Sequence, residues 1–452
     1  MTPRKLHVDE ALLPAGVASG VTITIGADGL IAEVAVDDGA GAERIGGFAV
    51  PGMANVHSHA HQRAMAGLAE RSGSGADSFW TWRDAMYRFA LNMNPEEFQA
   101  VATQVYIEMA KAGYTAVGEF HYLHHQPDGT PYANPAELAL RCLAAAEESG
   151  LAITLLPALY MQGGFNLPPQ PGQRRFINGI EAFLKLVSAL PPRPLANRGI
   201  AFHSLRAVST VAIREVLAEV AAGPIHLHIA EQLREVEDCL AATGLRPFEL
   251  LRESVALSSR WCLIHATHLT LTETSSLTET RSTVGLCPIT EANLGDGIFP
   301  ADAYRRDGGA FAIGTDSNIE TSVAGELRML EYSQRLKHHA RNVLAGGPDR
   351  STARALYEAA ATGGAAALAQ PIGAIAPGCR ADIVVLGPDH PALLGRRGEQ
   401  VIDSFVFSGG NAAVRDVFVA GRTIVKDGHH IAENAARDRF RRALASLARR
   451  AS

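Results

Sequence analysis

The sequence has no uninterrupted apolar stretch of the roughly 18 residues that a membrane-spanning helix needs. Residues 1–14 are polar, with no apolar run of signal-peptide length, so the reading is a soluble, cytoplasmic protein. A long run of one charge is also missing. The 41 basic and 47 acidic residues are scattered and leave a formal charge of −6, which gives no electrostatic ground for a nucleic-acid or membrane partner. Cysteine is scarce: Cys142, Cys239, Cys262, Cys287 and Cys379 are odd in number and lack CxxC spacing. That pattern argues against a disulfide framework or a cysteine-held zinc and reads as buried thiols. Internal repeats and low-complexity linkers are absent as well, and the Pro-rich piece 168–171 reads as a loop.

What is present is apolar material for a large interior. With 452 residues, 47% of them hydrophobic, the chain exceeds the size at which one core stops growing, so one large domain plus a smaller one is expected. Eight apolar, β-branched runs stop at Gly, Pro or polar residues: 48–56, 115–120, 152–159, 199–202, 225–229, 261–264, 283–287 and 311–314. Stretches of helical composition separate them, among them 96–112, 135–149, 211–221 and 324–341. Strands alternating with helices imply a parallel sheet, and eight repeats predict an α/β fold built as a closed (β/α)8 TIM-type barrel. The two ends of the chain read as short strands and turns, including 401–407, so residues 1–47 and 373–433 are expected to pair into a small composite β-sandwich domain. Residues 48–372 then form the barrel, and 434–452 close the chain as a basic amphipathic helix that packs on the protein or faces solvent.

The polar clusters fall at the C-terminal ends of these strands, the face on which barrel enzymes place their chemistry. His57 and His59 end the first strand two residues apart, so both imidazoles share one face and can converge on one ion. His228 ends the fifth strand, with Glu231 three residues on, which places a general acid/base beside a ligand. His265 follows the sixth strand and Asp316 the eighth. Any one of these is as readily a hydrogen-bonded core histidine or a turn aspartate. Together, three imidazoles and a carboxylate (His57, His59, His228, Asp316) make a nitrogen and oxygen site suited to one divalent metal ion, zinc foremost. His226 shares a face with His228 and reads as a packed neighbour in preference to a second ligand.

In this order, HxH, His, His and Asp after strands one, five, six and eight, the chain resembles the amidohydrolase superfamily. The segment GAIAPGCRADIVVL at 373–386 is similar to that superfamily's return into its sandwich domain. Many of its hydrolases use two metals bridged by a carboxylated lysine of the fourth strand. Here the lysines are Lys5, Lys111, Lys185, Lys337 and Lys426, none at the end of a barrel strand, so the resemblance implies a single metal. Longer motifs resemble the formimidoylglutamate deiminase family of histidine degradation: HSHAHQRAMAGLAE at 57–70, FWTWRD at 79–84, FHYLHH at 120–125, HSLRAVS at 203–209 and LCPITEANLGDG at 286–297. His61 departs from that pattern, which carries Phe there.

The resemblance implies hydrolysis of N-formimino-L-glutamate, a dianionic small molecule with an amidine-like head, to N-formyl-L-glutamate and ammonia. Arg206 after strand four can grip a carboxylate with two donors, and Gln62, Tyr122 and His203 add polar groups at the same rim. Arg83 either binds substrate or stacks on Trp80 or Trp82 at the surface. In the implied mechanism Glu231 moves a proton from metal-activated water to the departing nitrogen, His265 hydrogen-bonds the tetrahedral centre, and Asp316 also orients the nucleophile. A homodimer is what the resemblance suggests. The rival activity is a deaminase or chlorohydrolase acting on a purine, pterin or triazine ring, which has no need of Arg206. A non-catalytic scaffold would be expected to have lost ligands, and none is lost.

Overall fold

The computed structural model describes residues 2–71, 79–347 and 350–451. Eight parallel strands neighbour one another in chain order: Met53–Ser58, Tyr114–His121, Ala152–Leu159, Ile200–Ser204, Ile225–Ile229, Trp261–His265, Thr283–Leu286 and Ala310–Ile313. Most carry buried residues on both faces, as expected of strands covered by helices outside and packed side chains within.

The barrel closes between its first and last strands by an irregular seam. Ser58 and Asp316 form a lone parallel bridge, the amides of Thr315 and Asp316 donate to the His57 carbonyl, and the His59 amide donates to the Asp316 carbonyl at 3.0 Å. Side chains extend this short ladder. Asn55 accepts from the Thr315 amide and donates to the Thr315 hydroxyl at 2.7 Å, while Asn318 donates to the carbonyls of His59 and Asp316. Gly314 is required at the seam, because a Cβ there would lie 2.8 Å from His57.

Helices between the strands start on polar caps that satisfy their first amides. Asn94 caps Pro95–Lys111 in a capping box with Glu97, and Ser209 and Ser322 cap Thr210–Glu219 and Val323–His338. The C-terminal helix Glu433–Ala451 buries Ala436, Ala443 and Leu447. It is pinned by ion pairs from Lys111 to Glu433 at 2.7 Å, from Arg439 to Glu148 and from Arg450 to Glu97. Among the described residues no helix is long and apolar enough to cross a membrane. All five cysteines are free thiols, four of them buried.

Both chain ends build a second, nine-stranded sheet around its own core of Leu6, Val8, Val21, Ile23, Ile383, Val385 and Phe418. A lone bridge between Leu30 and Arg380 brings the edge at Ile31–Val36 back toward Ile383–Leu386, so the sheet curls over that core. Two expected strands turn out differently. The run 48–56 is two strands: Phe48–Pro51 pairs with Arg4–Leu13 and Ile383–Leu386, and the barrel begins at Met53. Gly52 marks the break, and a Cβ there would meet Thr115 at 2.3 Å. The run 401–407 is helical, as Glu399–Ser404 and a following turn, with Val401, Ile402, Phe405 and Val406 buried at i, i+1, i+4 and i+5. That spacing is a helical stripe, whereas an apolar run of similar length also suits a strand.

Candidate active site

The strand ends gather their polar side chains into one pocket at the barrel mouth. His59, Gln62, Arg83, Tyr122, His203, Arg206, His228, Glu231, His265 and Asp316 line it, and His57 lies beneath, fully buried. Local backbone irregularities aim these groups. A bulge at His203 shifts the register between the fourth and fifth strands, and another disturbs the first strand between Asn55 and Ser58. Ala230, His265 and Asp316 take left-handed backbone conformations, with φ of 48°, 67° and 45°, an unfavourable state that the surrounding structure must hold in place.

Nitrogen and oxygen donors converge at the base. His57 Nε2 and His228 Nε2 are 2.9 Å apart, and Asp316 Oδ1 lies 3.4 Å from His57 Nε2 and 3.3 Å from His59 Nε2. Tautomers follow from the outer hydrogen bonds: His59 Nδ1 donates to the Phe120 carbonyl at 2.9 Å, and His228 Nδ1 to the His203 carbonyl at 2.7 Å. With Nδ1 carrying the proton, each Nε2 presents a lone pair inward. Burial, reinforced by the neighbouring histidines, pushes His57 and His228 well below the usual imidazole range and keeps them neutral. His228 Nε2 faces His57 Nε2, whose own Nδ1 is buried without a hydrogen-bond partner, and these nitrogens with His59 Nε2 and Asp316 form a donor set that fits a divalent metal.

On the opposite wall the charges are arranged otherwise. Glu231 is buried, and burial raises its carboxyl to about 7 against the pull of His265. Burial disfavours charge on His265 too, but Glu231, Glu291 and Asp316 prevail and raise it to about 10. His265 Nδ1 lies 3.3 Å from Glu291, while Nε2 lies 3.9 Å from Glu231 and 3.8 Å from Asp316. Near neutral pH His265 keeps its proton, while Glu231 can take one up or release it. The rim carries the cations. Arg206 is buried and Arg83 half-buried, each has an Nε without a hydrogen-bond partner, and neither has a carboxylate partner among the described residues. Gln62 donates to the Tyr122 hydroxyl at 2.9 Å, leaving its own Oε1 unpartnered.

Against that geometry, a sequence model for the amidohydrolase family matches residues 48–424. The chain belongs to the amidohydrolase family. This amidohydrolase is 50% identical to a formimidoylglutamate deiminase of Pseudomonas aeruginosa, over 98% of this chain and 99% of that one. It is 27% identical to a 5-methylthioadenosine/S-adenosylhomocysteine deaminase of Natronomonas pharaonis, over 87% and 86%. Among solved structures, an amidohydrolase from Brucella melitensis superposes with a TM-score of 0.93 at 46% identity, over 98% and 100%.

Several residues of this amidohydrolase's pocket escaped the reading of its sequence. Glu291 orients His265 and accepts the Cys287 amide at 2.8 Å, and Asp296 is buried nearby, raised to about 9 by burial and by Glu231. Both fall inside the 286–297 motif, so a signal existed without a role attached. Glu235 accepts the amides of Ala230 and Glu231 at 3.2 Å and so fixes the turn that presents Glu231. Tyr87, Tyr160 and Phe176 complete the pocket walls, and their ordinary aromatic character gave no warning. The other prominent histidines are spent on structure: His226 Nε2 donates to the Ala367 carbonyl at 2.9 Å, and His124 Nε2 to that of Ala158. His61 stands edge-on to Tyr122, with ring centroids 5.1 Å apart, so the departure at that position touches a pocket wall.

Proposed function

We propose that this amidohydrolase hydrolyses N-formimino-L-glutamate to N-formyl-L-glutamate and ammonia, a step of histidine degradation in the cytoplasm. The observation that carries the reading is the pair of arginines, Arg83 and Arg206, at the rim of the pocket without carboxylate partners among the described residues, facing the donor cluster. Burial disfavours charge on Arg206, and Glu235 and Glu231 offset that cost from a distance without bonding to it, so its unpartnered Nε remains a donor for the carboxylates of a dianionic substrate. A flat neutral ring would leave the Nε donors of both unpartnered, which disfavours a purine, pterin or triazine substrate. The relative of the same length named a formimidoylglutamate deiminase supports the same choice.

In this reading one divalent ion, zinc by the chemistry of the donors, is held by His57, His59, His228 and Asp316. When bound, the metal supplies Lewis-acid activation of water and of the amidine. Glu231 takes a proton from the water that adds to the formimino carbon and passes it to the terminal nitrogen, then relays the remaining hydroxyl proton to the same nitrogen as the carbonyl forms, so that the C–N bond breaks and ammonia leaves. His265, held by Glu291, donates to the tetrahedral centre, and Asp316 also helps to orient the attacking oxygen. Arg206 and Arg83 bind the two carboxylates, while Gln62, Tyr122 and His203 fix the chain between them. Residues 53–372 form the catalytic unit, Phe48–Pro51 joins 1–47 and 373–433 in the composite sheet domain, and 434–451 is the closing helix, in a protein that works as a homodimer.

The test is ammonia release by metal-loaded enzyme from N-formimino-L-glutamate, beside guanine and adenosine. Release from the diacid alone is expected; release from a nucleobase would overturn the substrate assignment.

A further inference from the structure

Beside the reaction pocket lies a second cleft, and Arg83 and Arg206 line both. In that cleft three guanidinium groups surround the indole of Trp80, with their central carbons 4.6 Å (Arg83), 5.7 Å (Arg206) and 4.9 Å (Arg234) from the ring. Stacking on the indole uses the face of a guanidinium and leaves its in-plane N–H donors available, so the arginines are ordered without being consumed. Arg206 is only 6% exposed, and its Nε is buried without a partner. Arg234 stands in the first turn of Leu233–Thr243, three residues beyond Glu231, with its side chain 64% exposed and, among the described residues, a single loose carboxylate contact, to Asp238 at 3.7 Å. The cleft's acidic residues are Asp84 and Asp238, so its three arginines leave an excess of positive charge.

We propose that this cleft is an outer dicarboxylate site. Arg234, held over the ring of Trp80, captures a short dianion at the surface, and Arg206 and Arg83, shared with the inner pocket, carry it inward to the metal donors. The inference rests on the substrate being a dianion. Its physical content is that a carboxylate passing from solvent to a buried pocket meets a guanidinium at each stage, and so is never desolvated without a partner. Because Arg234 is exposed, its contribution belongs to encounter and is screened by salt, whereas that of buried Arg206 persists.

The experiment combines kinetics with a binding measurement that needs no turnover. Wild type, R234A, R234K and R234E are assayed with N-formimino-L-glutamate at about 20 mM and about 300 mM salt, and titrated calorimetrically with glutarate. In R234A, kcat/KM is expected to fall about 5-fold at low salt, with the deficit carried by KM and closing at high salt. R234E falls further, R234K recovers most of the loss, and glutarate affinity follows the same order. A merely structural role would lower kcat or thermal stability without this salt dependence. Variants matching wild type in kcat/KM at both salts, or a wild type that does not bind glutarate, would overturn the outer site. Glutarate binding that depends on Arg234 in an enzyme inactive on N-formimino-L-glutamate would keep the site and sink the substrate reading instead.

Discussion

Arginine behaves in opposite ways at the barrel mouth and on the flank under the C-terminal helix. On the flank, Arg439 and Arg450 each meet a glutamate of the barrel shell, and Glu433 is met by Lys111. At the mouth, Arg83 and Arg206 have no carboxylate partner among the described residues, although Arg206 is the more buried of all these cations. A pair completed within the chain is spent on holding the fold. A guanidinium balanced only at a distance, as Arg206 is by Glu235 and Glu231, keeps its donors open for a ligand that will bond to them. The donor cluster repeats the contrast: outer nitrogens of His59 and His228 are satisfied by carbonyls, and only their inner nitrogens remain free to take a metal.

That contrast breaks most visibly if a residue is moved from one class to the other. Replacing inward-facing His228 by Asn should strip the metal and drop turnover to background. The same change at His226, whose Nε2 is already spent on Ala367, should leave metal content intact and cost about 1 kcal/mol of stability. Metal analysis and denaturant unfolding of the two variants decide it, and metal loss from H226N would make that histidine a ligand after all. Glu231→Gln keeps the shape and removes the proton acceptor, so kcat should fall about 10³-fold with metal retained. Near-native turnover would remove Glu231 from the mechanism.

Arg206→Met tests the unbonded guanidinium directly. Its kcat/KM should fall about 10²-fold, the worth of one bidentate charge-assisted contact of roughly 3 kcal/mol, while the thermal midpoint of ligand-free protein falls only slightly, through the lost attraction to Glu235 and Glu231. A large drop in the midpoint would place Arg206 among the structural arginines.

The flank should give the smallest effect and the reverse signature. Hydrogen bonds from Lys111 and His429 lower the Glu433 carboxyl to about 2. A carboxylate depressed in the folded state contributes stability that is full above its unfolded value near 4.5 and is lost as pH falls toward 2. Glu433→Gln should therefore cost roughly 1 kcal/mol at pH 7, after solvent screening, with kcat unchanged. The gap to wild type should shrink in urea unfolding below pH 4.5 and vanish toward pH 2. A gap independent of pH would mean that packing, not charge, is what Glu433 supplies.

Much of this was legible in the chain because it rests on local periodicity. Eight apolar runs ending in polar clusters give a barrel with its chemistry at one mouth, and HxH places two imidazoles on one strand face whatever surrounds them. The misread segments are those where local pattern is degenerate. The run 48–56 is apolar throughout, and only Gly52 packed against Thr115 divides it between two sheets. The run 401–407 suits a helix or a strand until its neighbours choose.

By itself the sequence determined which residues could bind a metal, move a proton or hold a carboxylate, since those capacities belong to side-chain chemistry and to spacing along one strand. Tertiary structure alone decided which of them would act. It spent His124 and His226 on carbonyls distant in the chain, set Glu291 and Glu235 behind His265 and Glu231, and left the buried Nε of Arg206 without a hydrogen-bond partner. Burial and partnership depend on groups brought together from across the fold, and no local pattern of residues encodes them.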